Sequence, residues 1–179
     1  ATAKRLGAKV SANDVRAASA DEVASMGGTF IHLDLDAADA SGGYAKELAQ
    51  DRAKLQRELL TPHVHEADVI ITTAAIPGRP APTLITAAGV ANMGPGSVIL
   101  DLAAETGGNC ELTQPGRTID SHGVTIDGPL NLASMGAQHA SEMYARNVWN
   151  FVSLLLKDGT LVFDWDDELL ARTVWPERA

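Results

Sequence analysis

The chain has 179 residues, enough for one domain with a sizeable core or for one domain and part of another, which excludes a large multi-domain protein. Hydrophobic residues make up 45% of the chain but aromatic residues only 4%, so the core has to be built mainly from Ala, Val, Ile and Leu, as in helices packed on a parallel sheet. The 14 basic and 23 acidic residues give a net charge of −9, which repels polyphosphate and argues against a nucleic-acid-binding protein.

The first residues have the pattern of a helix end. Lys4 and Arg5 would lie in the last turn of this helix, and Gly7 would stop it. The chain therefore reads as if it began inside an element. We expect an upstream portion that contains a strand and the first turns of this helix.

Strand and helix patterns then alternate along the chain. Residues 9–15 predict a short strand, and residues 29–33 predict a second one. The predicted helix between them spans residues 17–26, and it contains Ser19 and Glu22 at the spacing of a capping box.

A long connection separates the second strand from the next helix. Residues 34–44 exceed the roughly 2–6 residues that such a connection needs, and paired glycines beside Tyr44 are typical of a mobile lid. The following helix is predicted at residues 45–60, with Pro62 ending the helical region. Residues 67–73 form a continuous apolar run, which predicts a strand buried on both faces.

The rest of the chain continues this alternation. The predicted elements are a proline-rich loop at 74–82, a helix at 84–93, a strand at 97–103, a Gly-Gly loop at 107–109, a strand at 123–127, a helix at 134–156 and an exposed strand at 160–165. Alternating strands and helices predict parallel pairing through right-handed crossovers. We therefore expect an α/β fold with a Rossmann-type, doubly wound parallel sheet.

Asp14 lies at the end of the first predicted strand. In dinucleotide-binding folds the second strand ends in an acid that accepts hydrogen bonds from the adenosine ribose, roughly 20 residues after a glycine-rich fingerprint. That fingerprint would precede Ala1, so the sheet would lack its first strand and its phosphate-binding turn. A carboxylate here would disfavour the 2′-phosphate of NADP, whereas Arg16 could pair with a phosphate or face solvent. Asp14 could equally cap the turn that follows it.

Other candidate residues give weaker signals. Glycines at 78 and 107–108 follow predicted strands and would let a ligand approach the sheet edge, but glycine is also common in ordinary turns. His63 and His65 lack the further ligands of a metal site, so we predict no metal. The single Cys110 cannot form an internal disulfide, which suits a reducing compartment, and we find no motif for covalent catalysis. No stretch approaches the roughly 20 apolar residues of a membrane span.

Four runs of the sequence resemble one known family. They are Asn13-Asp14-Val15-Arg16, Gly42-Gly43-Tyr44-Ala45-Lys46-Glu47, the run from Ile71 to Pro82 and the run from Asp101 to Cys110. In this order and spacing they resemble the alpha subunit, the NAD(H)-binding component, of proton-translocating NAD(P) transhydrogenase, in the alanine dehydrogenase/transhydrogenase superfamily. The resemblance covers nearly the whole chain.

The resemblance implies a set of cofactor-binding residues and a division into two parts. The implied contacts are Asp14, Val15 and Arg16 on the adenosine side of NAD, Gly43 and Tyr44 in a closing loop, and Gln56 and Ala75 beside the cofactor. The family usually has Leu at the position of Ala75. Residues 1–133 would be a partial NAD(H)-binding Rossmann domain. Residues 134–179 would be a long helix and a C-terminal segment that return to the neighbouring domain.

The resemblance also implies an activity and its partners. Hydride would pass from NADH to NADP bound on another component, coupled to proton translocation, and no side chain of this chain would act as a catalytic acid or base. The partners would be the NADP(H)-binding and membrane components and a second copy in a homodimer. The implied location is the cytoplasmic face of the bacterial inner membrane, as a peripheral soluble component. This chain alone would be inactive, because the family's glycine-rich turn and Arg-Gln-Asp loop come from the upstream part.

Two alternatives stay open. An alanine-dehydrogenase-like, NAD-dependent oxidoreductase would need a proton carrier, and Glu105 is the acid in a suitable position. Glu105 could instead orient the nicotinamide carboxamide or face solvent. A non-catalytic nucleotide-binding module would be compatible with the acidic surface and the missing turn.

Overall fold

The structure, a computed structural model, describes residues 1–16, 18–35 and 45–173, except for the side chains of 45–50 and 133. The chain divides into two compact units, Ala1–Leu130 and Asn131–Ala179. The first unit contains a two-stranded and a four-stranded sheet, and the second contains helices and one hairpin.

The first unit begins with two short helices and two short strands. In chain order they are α1 (Thr2–Arg5), β1 (Ser11–Ala12), α2 (Ser19–Ser25) and β2 (Thr29–Phe30). Lys4 and Arg5 occupy the last turn of α1, and Gly7 leaves the helix at φ +90°, so the predicted helix end is confirmed. β1 and β2 are parallel, with Ser11 opposite Thr29.

The predicted capping box of α2 is wrong. The N-cap residue is Ala18, no described side chain caps the first turn, and Ser19 is already the first helical residue. Ser19 is also buried, at 4% exposure. A capping serine has to precede the helix, so the spacing of Ser19 and Glu22 was misleading here.

The predicted end of the long helix at Pro62 is also wrong. α3 spans Ala45–Glu66 and continues for one turn beyond the proline. Proline removes a helical hydrogen bond and usually disrupts a helix. The helix continues here because Val64 packs into the core, and such tertiary packing outweighs local propensity.

The main sheet has four strands in the order β3-β4-β6-β5. The strands are β3 (Val69–Thr72), β4 (Val98–Asp101), β5 (Thr118–Ser121) and β6 (Val124–Asp127), and α4 (Ala87–Ala91) connects β3 to β4. β3, β4 and β6 are parallel, whereas β5 is antiparallel to β6. The α/β fold class with a mainly parallel sheet is confirmed. β5 was not predicted, because Ile119 is the one apolar residue in this short strand.

The core lies on one face of the four-stranded sheet. The register aligns Ile70, Ile99 and Ile126 across the three parallel strands, and the last two are fully buried. The other buried members of this core are Val64, Ile85, Val90, Met93, Cys110 and Val124. Full burial of an aliphatic side chain stabilises a fold by about 1.5–3 kcal/mol, so this cluster holds α3, α4 and the sheet together.

The opposite face of β3 is more exposed than its sequence predicts. Val69 and Ile71 are 61% and 59% exposed, so the prediction of a strand buried on both faces is wrong for these side chains. An apolar run indicates which side chains can be buried, but it does not indicate which segment covers them.

The second unit contains the long C-terminal helix. Its elements are α5 (Leu132–Met135), α6 (Ala137–Leu154), β7 (Leu156–Lys157), β8 (Thr160–Leu161) and α7 (Glu168–Thr173). The helix predicted at 134–156 is therefore present as α6, after a break at Gly136. The strand predicted at 160–165 is limited to the two residues of β8, which pair with β7. None of the described helices is both long enough and apolar enough to cross a membrane.

We predict that Gly108→Ala destabilises the chain more than Gly107→Ala does. Both glycines have positive φ, where an alanine costs about 1–2 kcal/mol. A Cβ at Gly108 would also lie 2.7 Å from Oδ2 of Asp101 and 2.9 Å from Cβ of Thr113, whereas a Cβ at Gly107 would meet nothing within 4 Å. Urea unfolding of the two variants should show the larger loss for Gly108→Ala, and equal losses would contradict this packing.

Candidate functional site

A polar pocket lies where β1 and β2 end. It has a volume of about 200 Å³. Its lining residues are Asn13, Asp14, Val15, Phe30, His32, Leu33, Leu35, Arg52 and Gln56. The side-chain amide of Asn13 donates to the carbonyl of Ile31 at 2.9 Å and so ties together the two segments that leave the strands. Carboxyl ends of parallel strands are where open α/β sheets bind ligands.

Asp14 and Arg16 form a fork-shaped ion pair at this pocket. Oδ1 of Asp14 accepts from the backbone N–H of Arg16 at 2.8 Å and from its Nε at 3.1 Å. Oδ2 accepts from Nη2 of Arg16 at 3.0 Å. The side chain of Asp14 is 33% exposed and that of Arg16 is 71% exposed. The carboxylate is thus partly sheltered, and its basic partner lies largely in solvent.

This ion pair lowers the pKa of Asp14 from its ordinary value of 3.8 to about 2. The largest cause is the side-chain hydrogen bond from Arg16, followed by the backbone hydrogen bond from the same residue. The pair is therefore complete above pH 4 or so and is lost only as the pH falls through about 2. At neutral pH the pocket contains an ionised carboxylate that acts only as an acceptor.

The structure brings three of the predicted site residues together. Asp14 and Val15 enter the pocket from the end of β1, and Gln56 enters it from α3. Val15 is 82% exposed and so presents an apolar surface at the mouth of the pocket. Arg16 does not line the pocket but reaches it through Asp14. Gly43 and Tyr44 lie outside the described residues.

Several pocket residues were not predicted from the sequence. Asn13, Phe30 and Arg52 line the pocket, and so does His32, which the sequence suggested only as a surface histidine. The rings of Phe30 and His32 meet edge to face, with centroids 4.8 Å apart. Their position at strand ends was the available signal, because such residues face the ligand-binding edge of a parallel sheet.

Ala75 lies in a different place, in the exposed loop between β3 and α4. Both ends of this loop contact the side chain of Asn109. Oδ1 of Asn109 accepts from the N–H of Ala74 at 3.0 Å, and Nδ2 donates to the carbonyls of Ala74 at 2.9 Å and Pro82 at 2.8 Å. Asn109 is fully buried, so this contact fixes the base of the loop away from water.

The carboxyl group of Asp101 organises the segment around Asn109. Asp101 ends β4, is fully buried and accepts five hydrogen bonds. The donors are Thr72 Oγ1 at 2.9 Å, Ala103 N at 3.1 Å, Asn109 N at 2.7 Å, Cys110 N at 3.0 Å and Thr113 Oγ1 at 2.6 Å. The sequence signal for this network was an acidic residue at the end of a buried strand, which needs hydrogen-bond donors wherever it is buried.

The other candidates are less closely connected to the pocket. Glu105 is exposed in a short 3₁₀ turn, Ala104–Thr106, after β4. Burial raises the pKa of the Cys110 thiol, which makes it a poor nucleophile. Within the described ranges, no group of three or more His, Cys, Asp or Glu side chains is arranged to hold a metal ion. A larger cavity of about 480 Å³, bordered by α1, β1 and α2, is lined mainly by aliphatic groups.

Comparison with known proteins gives consistent matches. Residues 1–177 match the family described as "Alanine dehydrogenase/PNT, C-terminal domain". An NAD(P) transhydrogenase alpha subunit of Rhodospirillum rubrum is 49% identical over 178 residues, which cover 97% of this chain and 46% of that protein. The crystal structure of transhydrogenase from Sinorhizobium meliloti is 41% identical with a TM-score of 0.64, over 94% of this chain and 44% of that one. An L-alanine dehydrogenase structure, with 24% identity and a TM-score of 0.52 over 74% of this chain and 33% of that one, shares the fold.

The parallel strands and the pocket at their carboxyl ends define a Rossmann-type α/β domain. The chain belongs to the alanine dehydrogenase/PNT family and corresponds to its C-terminal domain. The resemblance seen in the four sequence runs is therefore confirmed. The chain spans about half the length of the transhydrogenase relatives it matches.

We predict that Arg16→Gln raises the pKa of Asp14 above 2 but leaves it below 3.8. The variant loses the guanidinium hydrogen bonds and charge, whereas the backbone N–H of residue 16 still donates to Oδ1. Carboxyl ¹³C chemical shifts measured during a pH titration would report this value. Arg172→Gln removes a comparable ion pair, that with Glu168, and serves as the control that leaves the pKa of Asp14 unchanged.

Proposed function

We propose that this chain is the NAD(H)-binding part of a proton-translocating NAD(P) transhydrogenase. The observation that carries the proposal is the position of Asp14 and Gln56 in one pocket beyond two parallel strands. The relatives named as transhydrogenases, at 49% and 41% identity, support it over nearly the whole chain.

The described residues fit the adenosine half of NAD. A carboxylate has about four acceptor positions, and Arg16 occupies three of them in Asp14, so one position on Oδ2 is available for a ribose hydroxyl. Val15 would cover the sugar and base with apolar surface, and Gln56 would supply a neutral donor and acceptor from α3. Gly43 and Tyr44 would close over the nucleotide, as the family resemblance implies. Ala75 would approach it from the loop after β3.

Arg16 would have a second role in this site. It holds Asp14 ionised, and the negative carboxylate disfavours a 2′-phosphate at the same ribose. A guanidinium that is already bonded in a fork to one carboxylate is less available for a phosphate. Both effects favour NADH over NADPH in this pocket.

The chemistry needs no acid or base from this chain. When bound, NADH supplies a hydride to NADP on a partner component, and the hydride moves with its electron pair, so no proton has to be transferred at the reacting carbons. The residues of this chain would then bind, orient and exclude water. The absence of a catalytic residue from the predicted site is compatible with that role.

We propose further that the pocket is completed by the upstream half of the subunit, as in relatives about twice as long. In the described part of the chain, β1 and β3 are each paired on one side only, and they belong to separate sheets. A first strand between them would join the two sheets in the order typical of a Rossmann fold and would cover part of the exposed apolar surface of β3. Residues 1–133 would be the nucleotide-binding part, and residues 134–179 would return to the neighbouring domain.

The partners follow from the same proposal. An NADP(H)-binding component and a membrane component would complete the enzyme, and two copies of the subunit would form a homodimer. The chain would act at the cytoplasmic face of the bacterial inner membrane. Turnover of alanine with NAD⁺ would instead support an alanine-dehydrogenase-like enzyme.

We expect Asp14→Ala to weaken NADH binding by about 10- to 100-fold, the loss typical of a charged hydrogen-bond acceptor. Fluorescence titration should be performed on the full-length subunit, in which the N-terminal half found in the relatives precedes this chain. The matched control is Asp68→Ala, because Asp68 is exposed just before β3, at the opposite end of that strand from its ligand-binding edge. Equal affinities for Asp14→Ala and the unchanged subunit would refute the proposed site.

The same titration on this chain alone tests the role of the upstream half. We expect no NADH binding in the concentration range that saturates the full-length subunit, because the phosphate-binding turn would be supplied by the upstream half. Equally tight binding by the short chain would show that this half is not needed.

We also expect Asp14→Ser to narrow the preference for NADH over NADPH. The substitution removes the charge that repels a 2′-phosphate and releases Arg16 to bind one. The ratio of the two dissociation constants, measured by competition against NADH fluorescence, should fall by about tenfold or more. Asp14→Ser combined with Arg16→Gln is the control, since it lacks the released guanidinium and should regain less NADPH affinity.

A further inference from the structure

The loop between β3 and α4 has a fixed base and an exposed tip. Its base is bracketed by Ala74 and Pro82, and both bond to the one side chain of Asn109. A further bond joins the N–H of Ala81 to the carbonyl of Thr106 at 2.8 Å. The residues between, from 75 to 80, are all exposed. The loop is therefore held at its two ends and free of cover at its tip.

Asn109 is suited to this contact by the chemistry of its amide. The two backbone carbonyls need donors and the N–H of Ala74 needs an acceptor, and a primary amide supplies two donors and an acceptor from one side chain. A carboxylate of the same size would keep the acceptor but turn an oxygen towards both carbonyls. A buried contact of this kind tolerates no such mismatch, because an unpaired buried polar group is costly.

Asn109 is itself held in place by the end of β4. Its backbone N–H donates to Oδ2 of Asp101 at 2.7 Å, and the neighbouring N–H of Cys110 donates to the same oxygen at 3.0 Å. Its carbonyl accepts from the N–H groups of Leu84 and Ile85, beyond the other end of the loop. The position of the loop is thus set by the core of the sheet rather than by solvent-exposed contacts.

We propose that Asn109 is a positioning residue for the nucleotide site, holding the loop so that Ala75 meets the cofactor. This inference rests on the proposed function, since Ala75 is one of the proposed cofactor contacts. Asn109 acts through the backbone of the loop and touches no cofactor itself. Sites whose supporting groups are fixed by packing and hydrogen bonds bind better than sites that must order on binding.

The test is Asn109→Asp in the full-length subunit. We expect the dissociation constant for NADH to rise by about tenfold, because a displaced loop no longer presents Ala75 correctly. Amide hydrogen exchange should become faster at Ala74 while Ile99 and Ile126 stay protected. Asn92→Asp is the matched control, because Asn92 is an exposed asparagine whose side chain bonds within its own helix.

Thr113→Val separates positioning from simple stability. This variant removes a donor to Asp101 and so weakens the same buried network without touching the loop. It should lower the melting temperature but keep the affinity for NADH. If Thr113→Val and Asn109→Asp lose affinity in proportion to their loss of stability, Asn109 has a structural role only and the inference is wrong.

A measurement on the unchanged protein covers the case in which Asn109→Asp does not fold. The N–H of Ala74 should be protected from exchange to the same degree with and without NADH, because the base of the loop is already fixed. Protection that develops only with NADH would overturn the inference.

The Asp14→Ala variant distinguishes the two levels of the proposal. If it weakens NADH binding while folded Asn109→Asp does not, the proposed function stands and the role of Asn109 is rejected. If the unchanged full-length subunit does not bind NADH, the proposed function fails and the role of Asn109 fails with it.

Discussion

The buried carboxyl group of Asp101 is the contact on which the organised part of the sheet edge depends. It is fully buried, and its two oxygens accept five hydrogen bonds. Both oxygens act only as acceptors, as those of an ionised carboxylate do. Because a buried charge is tolerated only when its neighbours are arranged around it, the turn after β4 has one geometry rather than several. That geometry explains why Gly108 approaches Asp101 so closely and why Asn109 faces the neighbouring loop.

α3 connects the pocket with the core by a different means. Gln56 lines the pocket, and Val64, eight residues later, packs in the core. Eight helical residues span about 12 Å, so one rigid element reaches from the buried cluster to the pocket. The turn beyond Pro62 therefore has a positional purpose. It carries Val64 into the core and so anchors the end of the helix that holds Gln56.

The sequence predicted the order of the elements better than their surroundings. Alternating patterns gave the α/β class and the parallel strands, because periodicity is a local property of the chain. The end of α3 and the exposure of Val69 depend on which segment packs against them, and local patterns do not contain that information. The site divides in the same way. Asp14 follows a strand and was predicted, whereas the contact of Asn109 with Ala74 joins residues 35 positions apart and was not.

The ion pair between Asp14 and Arg16 can serve as a binding site because it is exposed. A pair in which the arginine is 71% exposed contributes little to stability, since both groups are well solvated when separated. Hydrogen bonds between the carboxylate and sugar hydroxyls in a partly sheltered pocket are stronger than those between neutral groups. A ribose can therefore share or displace the arginine at small cost. A buried pair would resist that exchange, because its two charges would have to be separated without water. The same exposure that makes the pair a poor stabiliser of the fold keeps the carboxylate ionised and accessible to a nucleotide.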